Sequence, residues 1–383
     1  MSSAHAVALM ESAKRLLDEV TLANLLRVAP KLAKILFVLL FLINIRSWPL
    51  AWHFRVFRPV FALRIQRRWM RICASFKSPA NRVRIHDQWM ESISPIGENP
   101  LQMMVPFKSW ASLDDSDFNG HLSNSSYAKI LDSARFKAAM KMFPYFFTAG
   151  GWMALAATHY HFVREIPILK SYEIRTSIVA WDQKWIYIVS RFVRKPEGKK
   201  KPVKKIASPP SDSEPAPQIL ALRTPATEDP STSGTPIPAA TPLTVTGLQD
   251  TAQALKAVSA GLKHEEVDGS TLHTVAVARL CFKVGRITVP PAVVLGSNGF
   301  TGETGFSKTT PHPEWAQQKK VASLPHGGSL KKLKQFMTGG WKDVPEKERW
   351  WEQALGPEIE QQRLRNLALV EGLSFGLENA RNI

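Results

Sequence analysis

Asp114-Asp115-Ser116-Asp117-Phe118-Asn119-Gly120-His121-Leu122-Ser123-Asn124-Ser125-Ser126-Tyr127 is the stretch whose reading decides the fold. Three acids and a Gly-His turn lead into a run in which Ile130, Leu131, Ala134 and Ala138 recur at steps of three and four. Lys129, Asp132, Arg135 and Lys137 take other positions, so the spacing predicts an amphipathic helix. Ser123, Asn124 or Ser125 can cap it. The first amides of such a helix have no partner within it and can polarise a carbonyl oxygen or hold an anion. A carboxylate one turn upstream can serve as base or nucleophile, and the two together point to acyl chemistry.

Outward from that helix, segments 103–110, 153–163, 169–181, 185–194 and 272–284 are rich in β-branched and aromatic residues and read as strands. Tyr172, Ile174, Thr176, Ile178 and Ala180 alternate with period two, and Leu272, Thr274, Ala276, Ala278, Leu280 and Phe282 repeat the pattern over a longer face. One central helix followed by long antiparallel strands predicts an α+β hot-dog fold, an antiparallel sheet wrapped around a central helix.

The motif Asp-x-Asp-x-x-Gly-His-x-(Asn/Ser)-Asn-x-x-Tyr, the later Ile178-Val179-Ala180-Trp181-Asp182-Gln183-Lys184-Trp185-Ile186-Tyr187 and the late Gly285-Arg286-Ile287-Thr288-Val289-Pro290-Pro291 together resemble the thioesterase-like branch of the hot-dog superfamily. That branch includes 4-hydroxybenzoyl-CoA thioesterases and membrane-anchored eukaryotic proteins. The resemblance implies an acyl-CoA thioester hydrolase with Asp117, on the second acid of the motif, as base or nucleophile. It sets Gly120 and His121 on the tight turn and Asn124 and Tyr127 at the helix entry, where substrate binds. It also implies a homodimer with active sites between protomers. Ser123-Asn124 stands where many relatives have Asn-Asn.

Against Asp117 as catalyst stands a solvated acidic turn, the usual role of a charge run. His121 reads either as an acid–base group beside Asp117 or as a structural hydrogen-bonder after a turn glycine. The chain lacks a Gly-x-Ser-x-Gly elbow and a Gly-x-x-x-x-Gly-Lys loop, so serine hydrolysis and nucleotide-triphosphate chemistry are disfavoured. His159 and His161 share a strand face without a further ligand cluster, a poor metal site. No metal and no cofactor is expected, coenzyme A being part of the substrate.

With 383 residues the chain has material for one core plus appendages, and Cys73 and Cys281 are too few for a disulfide framework. Residues 1–90 form a basic region with an apolar run, Ile35 to Ile43 without a break, read as a retained membrane anchor around 32–52. Ten Lys or Arg and no acid lie between Arg46 and Arg84, so the positive-inside rule sets the downstream domain on the cytosolic side of an intracellular membrane, endoplasmic reticulum or mitochondrial. Trp52, Phe54, Phe57, Phe61, Ile65 and Trp69 interleave with those arginines, suiting membrane lipids as partners. The alternative is a helix hairpin packed on the domain. The net charge of +18 is gathered beside the apolar run without a nucleic-acid motif, so no nucleic acid is expected.

The domain spans 100–291, interrupted at about 196–268 by a Pro/Ser/Thr-rich insertion expected to be disordered, with Leu248, Leu255, Val258 and Leu262 as one possible helix. Residues 292–383 read as a Gly-rich irregular connection and a final helix from about Pro345, broken at Gly356-Pro357. The function expected is acyl-CoA thioester hydrolysis. The alternatives are a non-catalytic acyl-lipid-binding or scaffold protein and an enoyl-CoA hydratase.

Overall fold

The computed structural model describes residues 22–196 and 266–379. The chain divides into one unit of Met1–Lys195 with Ser270–Ile383 and a second of Pro196–Gly269. The expected disorder of 196–268 and its candidate helix lie outside the described residues, except at the two ends of that segment.

In the first unit the period-two segments form an antiparallel sheet. Its strands are β1 (Met104–Trp110), β2 (Gly151–Phe162), β3 (Ser171–Trp181), β4 (Trp185–Arg194) and β5 (Thr271–Val284), in the spatial order β1-β3-β4-β5-β2. A short β6 (Ile287–Val289) folds back on the end of β5. The alternating faces go inward as the pattern requires: Ile174, Thr176 and Ile178 on β3, and Thr274, Ala276, Ala278 and Phe282 on β5, are buried. One residue bulges out of β3 between Ile178 and Ala180, so that Ile178 lies opposite Ile188 on the core face while Ala180 lies opposite Tyr187 on the other face and packs with Leu367.

Among the described residues three α-helices precede the sheet: α1 (Leu22–Ile43), α2 (Ala51–Ser75) and α3 (Pro79–Ile93). Between β1 and β2 lie α4 (Asn124–Met142) and the single-turn α5 (Pro144–Thr148). Ser123 occupies the N-cap position of α4. Tyr127, Ile130, Leu131, Ala134, Ala138 and Met142 form the buried stripe that α4 lays on the sheet, giving the α+β hot-dog arrangement. Arg135, expected on the polar face, is buried as well. Its Nη1 donates to Thr158 Oγ1 on β2 at 2.9 Å and its Nη2 to Asp132 Oδ1 at 2.7 Å, so the guanidinium is paired inside.

Two expectations are corrected. The apolar segment around 32–52 is not one span: α1 stops at Ile43, a 3₁₀ turn covers Ile45–Ser47, and Leu50 takes φ 66 before α2 begins. Among the described residues no helix is long and apolar enough to cross a membrane. The physical reason is that α1 carries Arg27, Lys31 and Lys34 before its apolar half. Residues 292–383 are not an irregular connection with one helix. They hold most of α6 (Pro291–Ser297), then α7 (Trp315–Ala322), α8 (Leu330–Met337) and α9 (Trp350–Asn379). Val293, Val294, Leu295, Trp315, Leu333, Phe336, Trp350 and Trp351 join the core beside Phe282 and Phe300. Gly296 marks how closely α6 and α9 approach, since a Cβ there would stand 2.4 Å from Trp351 Cβ. The break at Gly356-Pro357 is observed, with Gly356 at φ 71 inside α9.

Candidate active site

The acid motif folds into a closed turn. The Asp117 amide donates to the His121 carbonyl at 2.8 Å, the Gly120 amide donates to the Asp117 carbonyl at 3.1 Å, and Ser116 pairs with Leu122. Gly120 sits at φ 74, where an L side chain is strained. Asp117 Oδ1 accepts the backbone amides of Asn119 at 3.0 Å and His121 at 3.2 Å. Its Oδ2 makes no hydrogen bond among the described residues, and the carboxylate is half-buried. One oxygen is thus fixed by the turn while the other stays open.

The loop between β2 and β3 grips the turn from the other side. Leu122 donates to the Ile166 carbonyl at 2.8 Å, and Ile168 donates to the Gly120 carbonyl at 2.8 Å. His121 turns its ring to this loop, Nδ1 lying 3.1 Å from Glu165 Oε2. The ring is therefore engaged by Glu165, and only the backbone of His121 meets the Asp117 side chain. Asn124 is exposed at the first residue of α4. Tyr127 is enclosed, its ring 5.2 Å from that of Phe162 and 5.0 Å from that of Phe192. Burial raises its phenol pKa above the ordinary value. Tyr127 thus shares one buried cluster with Leu122 and Ile166, which close the acid turn.

The buried acid of the motif is Asp115. Its side chain is fully enclosed, with Lys129 Nζ 2.9 Å from Oδ1, Arg46 Nε 3.5 Å from Oδ2, and Ser112 Oγ donating to Oδ2 at 2.8 Å. Asp114 shares the single Ser112 hydroxyl proton with Asp115, Oγ lying 2.5 Å from Asp114 Oδ1, and accepts from Ser47 Oγ at 2.7 Å. Burial pushes the Asp114 pKa up, but those two hydroxyls and the Lys129 charge more than offset this and hold it below the ordinary carboxylate value. Glu165, Lys129 and Arg46 were not foreseen as parts of the site. Lys129 is the one the sequence signals, a cation about one turn into a helix that follows an acid cluster.

Trp52 and Val56 of α2, Phe136 and Ala139 of α4, Met153 and Leu155 of β2, and Leu280 of β5 line an apolar cavity of about 370 Å³, with Asp132 and Arg135 at its edge. The volume falls in the range of small-molecule sites.

An antiparallel sheet on a central helix, with an acid turn at the helix start, is the α+β hot-dog arrangement. Residues 111–207 match the family profile of the Thioesterase-like superfamily, from the end of β1 through the acid turn, α4 and strands β2 to β4. The chain is 29% identical over 177 residues to the probable thioesterase atnL of Emericella nidulans, a match covering 40% of this chain and 52% of that protein. A probable thioesterase of Saccharomyces cerevisiae is 33% identical over 90 residues, 23% of this chain and 39% of its own length. Protein THEM6 of Danio rerio is 34% identical over 88 residues, 22% of this chain and 44% of its length. The chain spans about half or less of the length of these relatives.

Proposed function

We propose that the protein hydrolyses acyl-CoA thioesters. The observation that carries this is the Asp117 carboxylate, one oxygen pinned by two amides and the other open, held a few residues before the unpaired amides at the start of α4. Asp117 would activate water or attack the thioester carbonyl, and the amides at the start of α4 would hold the oxyanion. The thioesterases among the relatives support the reaction class. The apolar cavity along α4 supports an acyl group as the part recognised: Asp132 at its edge is about 12 Å along the helix from Asn124, within reach of an extended chain. Gly120, Asn124 and Tyr127 shape the entry. The reading includes a homodimer, and work at the surface of an intracellular membrane with the domain in the cytosol.

A second reading, a non-catalytic acyl-binding protein, has one observation in its favour. Asp117 Oδ1 closes its own turn, a structural duty that needs no reaction.

Release of free thiol from a panel of acyl-CoA esters separates the two. Asp117→Asn keeps the size and acceptor oxygen but removes the charge, so hydrolysis should fall at least about a hundredfold while the fold survives. Equal rates for wild type and Asp117→Asn would remove the role given to this residue. No thiol release from any ester would favour the binding protein, and crotonyl-CoA hydration without thiol release would favour the hydratase.

A further inference from the structure

Arg46 lies far outside the matched residues 111–207, at the joint between α1 and α2, yet it is spent on the acid turn. Its Nε stands 3.5 Å from Asp115 Oδ2, its Nη1 donates to the Trp110 carbonyl at 2.7 Å, and its Nη2 donates to Ser109 Oγ at 3.2 Å. The guanidinium carbon lies 5.1 Å from the centre of the Trp110 ring. All three nitrogens thus grip the end of β1 or the carboxylate that follows it. The next residue, Ser47, donates to Asp114 Oδ2 at 2.7 Å, and Lys129 Nζ is 3.5 Å from Ser47 Oγ. Arg55 of α2 donates to the Arg46 carbonyl at 3.4 Å and braces the joint.

Asp115 carries this grip to the reacting end. Its carbonyl accepts the amide of Ser123 at 3.0 Å, tying the turn to the cap of α4, and Asp117 follows two residues later. A fully enclosed carboxylate needs charged partners. Among the described residues, Asp115 Oδ2 without Arg46 keeps only the Ser112 hydroxyl. We propose that Arg46 and Ser47 are positioning residues, through which the amino-terminal arm holds, by way of Asp115 and Asp114, the turn that presents Asp117 to the start of α4. The proposal rests on the thioester-hydrolase reading for its catalytic consequence.

The test uses the full chain as wild type, Arg46→Ala, Arg46→Lys and Ser47→Ala, with two readouts. The first is hydrogen exchange of the amides of Asn119, His121 and Ser123, which donate to Asp117 and Asp115. In Arg46→Ala these should exchange at least about tenfold faster, with β3 and β4 unchanged. The second is steady-state hydrolysis: kcat should fall by about a hundredfold with KM little altered, as expected when a reacting group is misplaced by about an ångström. Guanidinium ion, and not sodium, should restore part of both readouts. Ser47→Ala should move both in the same direction by less, and Arg46→Lys should lie between Arg46→Ala and wild type. Unchanged exchange in a folded Arg46→Ala overturns the proposal, and so does a loosened turn with full kcat. If Arg46→Ala does not fold, Ser47→Ala and Arg46→Lys are judged by the same criteria. If the wild type hydrolyses no thioester, the hydrolase reading falls on that result alone, while exchange and its rescue still decide whether the arm holds the turn.

Discussion

His273 shows at the scale of one residue how β5 supports the loop that grips the acid turn. Its Nδ1 lies 2.9 Å from the Glu165 carbonyl, and Glu165 in turn faces His121 across 3.1 Å. Burial lowers the imidazole pKa below 6.5, outweighing the backbone carbonyls of Glu165 and Arg164, which raise it; the nearby Arg194 and Arg164 charges lower it further. In the unfolded chain this histidine takes up its proton near pH 6.5, and in the folded protein only at lower pH. Its contribution to stability is therefore complete above the unfolded value and is lost as pH falls from 6.5 through the folded value. The depressed pKa of Asp114 acts the same way in a separate window, below its unfolded value of 3.8. Thermal unfolding midpoints should decline as pH falls from roughly 7 to roughly 5, and His273→Gln should flatten that slope. An identical slope in the variant would assign the acid sensitivity elsewhere.

At the scale of elements, what could be read in the sequence and what could not divides along the range of the forces. β3, β4, β5 and α4 were legible because each is set by a local period: the Tyr172 to Ala180 alternation and the Ile130 to Ala138 spacing need only their neighbours. Asp117, Gly120 and His121 were legible as a turn for the same reason, Gly120 supplying the positive φ. Arg46 and Glu165 were not. Their partners lie 69 residues away at Asp115 and 44 residues away at His121, and only the completed sheet brings them together. The helices after Pro291 were hidden by glycines such as Gly296 and Gly302, which read as breakers and serve as close contacts against Trp351 and Leu355.

The element α1 carries its own prediction. From Val28 to Ile45 every residue is exposed, and the unbroken apolar run of Ile35 to Ile43 places such side chains on all sides of the helix. Within its own joint Phe41 packs on Trp48, ring centres 4.0 Å apart, with Trp48 Nε1 donating to the Phe41 carbonyl at 2.8 Å. A helix apolar all round is stable only where water is excluded. Exposed Phe54, Phe61, Ile65 and Trp69 on α2, among arginines, extend the surface and suit anionic headgroups. The full chain should float with vesicles containing phosphatidylserine, and carbonate should leave it on them because the contact is apolar. A chain lacking residues 1–43 should stay in the soluble fraction; equal flotation of both would take the membrane contact away from α1.

For the whole molecule, the deciding feature is an uncovered edge. β2 ends the sheet order, pairs on one side with β5, and over its 12 residues has none that is buried. Trp152, Leu155 and Phe162 are exposed along it. A long apolar edge strand is an aggregation hazard unless something pairs with it. A second copy suits it: two antiparallel β2 strands related by a two-fold axis complement each other without further sequence requirement, the self-complementary geometry of a symmetric dimer. Leu155 and Met153 also wall the apolar cavity, so such pairing would close the space in which the acyl group is proposed to lie. Sedimentation of the purified protein in mild detergent should give twice the chain mass of 42.8 kDa. Trp152→Lys combined with Leu155→Lys sets cations along the shared edge in both copies, which should shift the protein to one chain mass with the sheet intact by circular dichroism. A wild type that sediments as a monomer while hydrolysing thioesters would show that one chain is enough for the site.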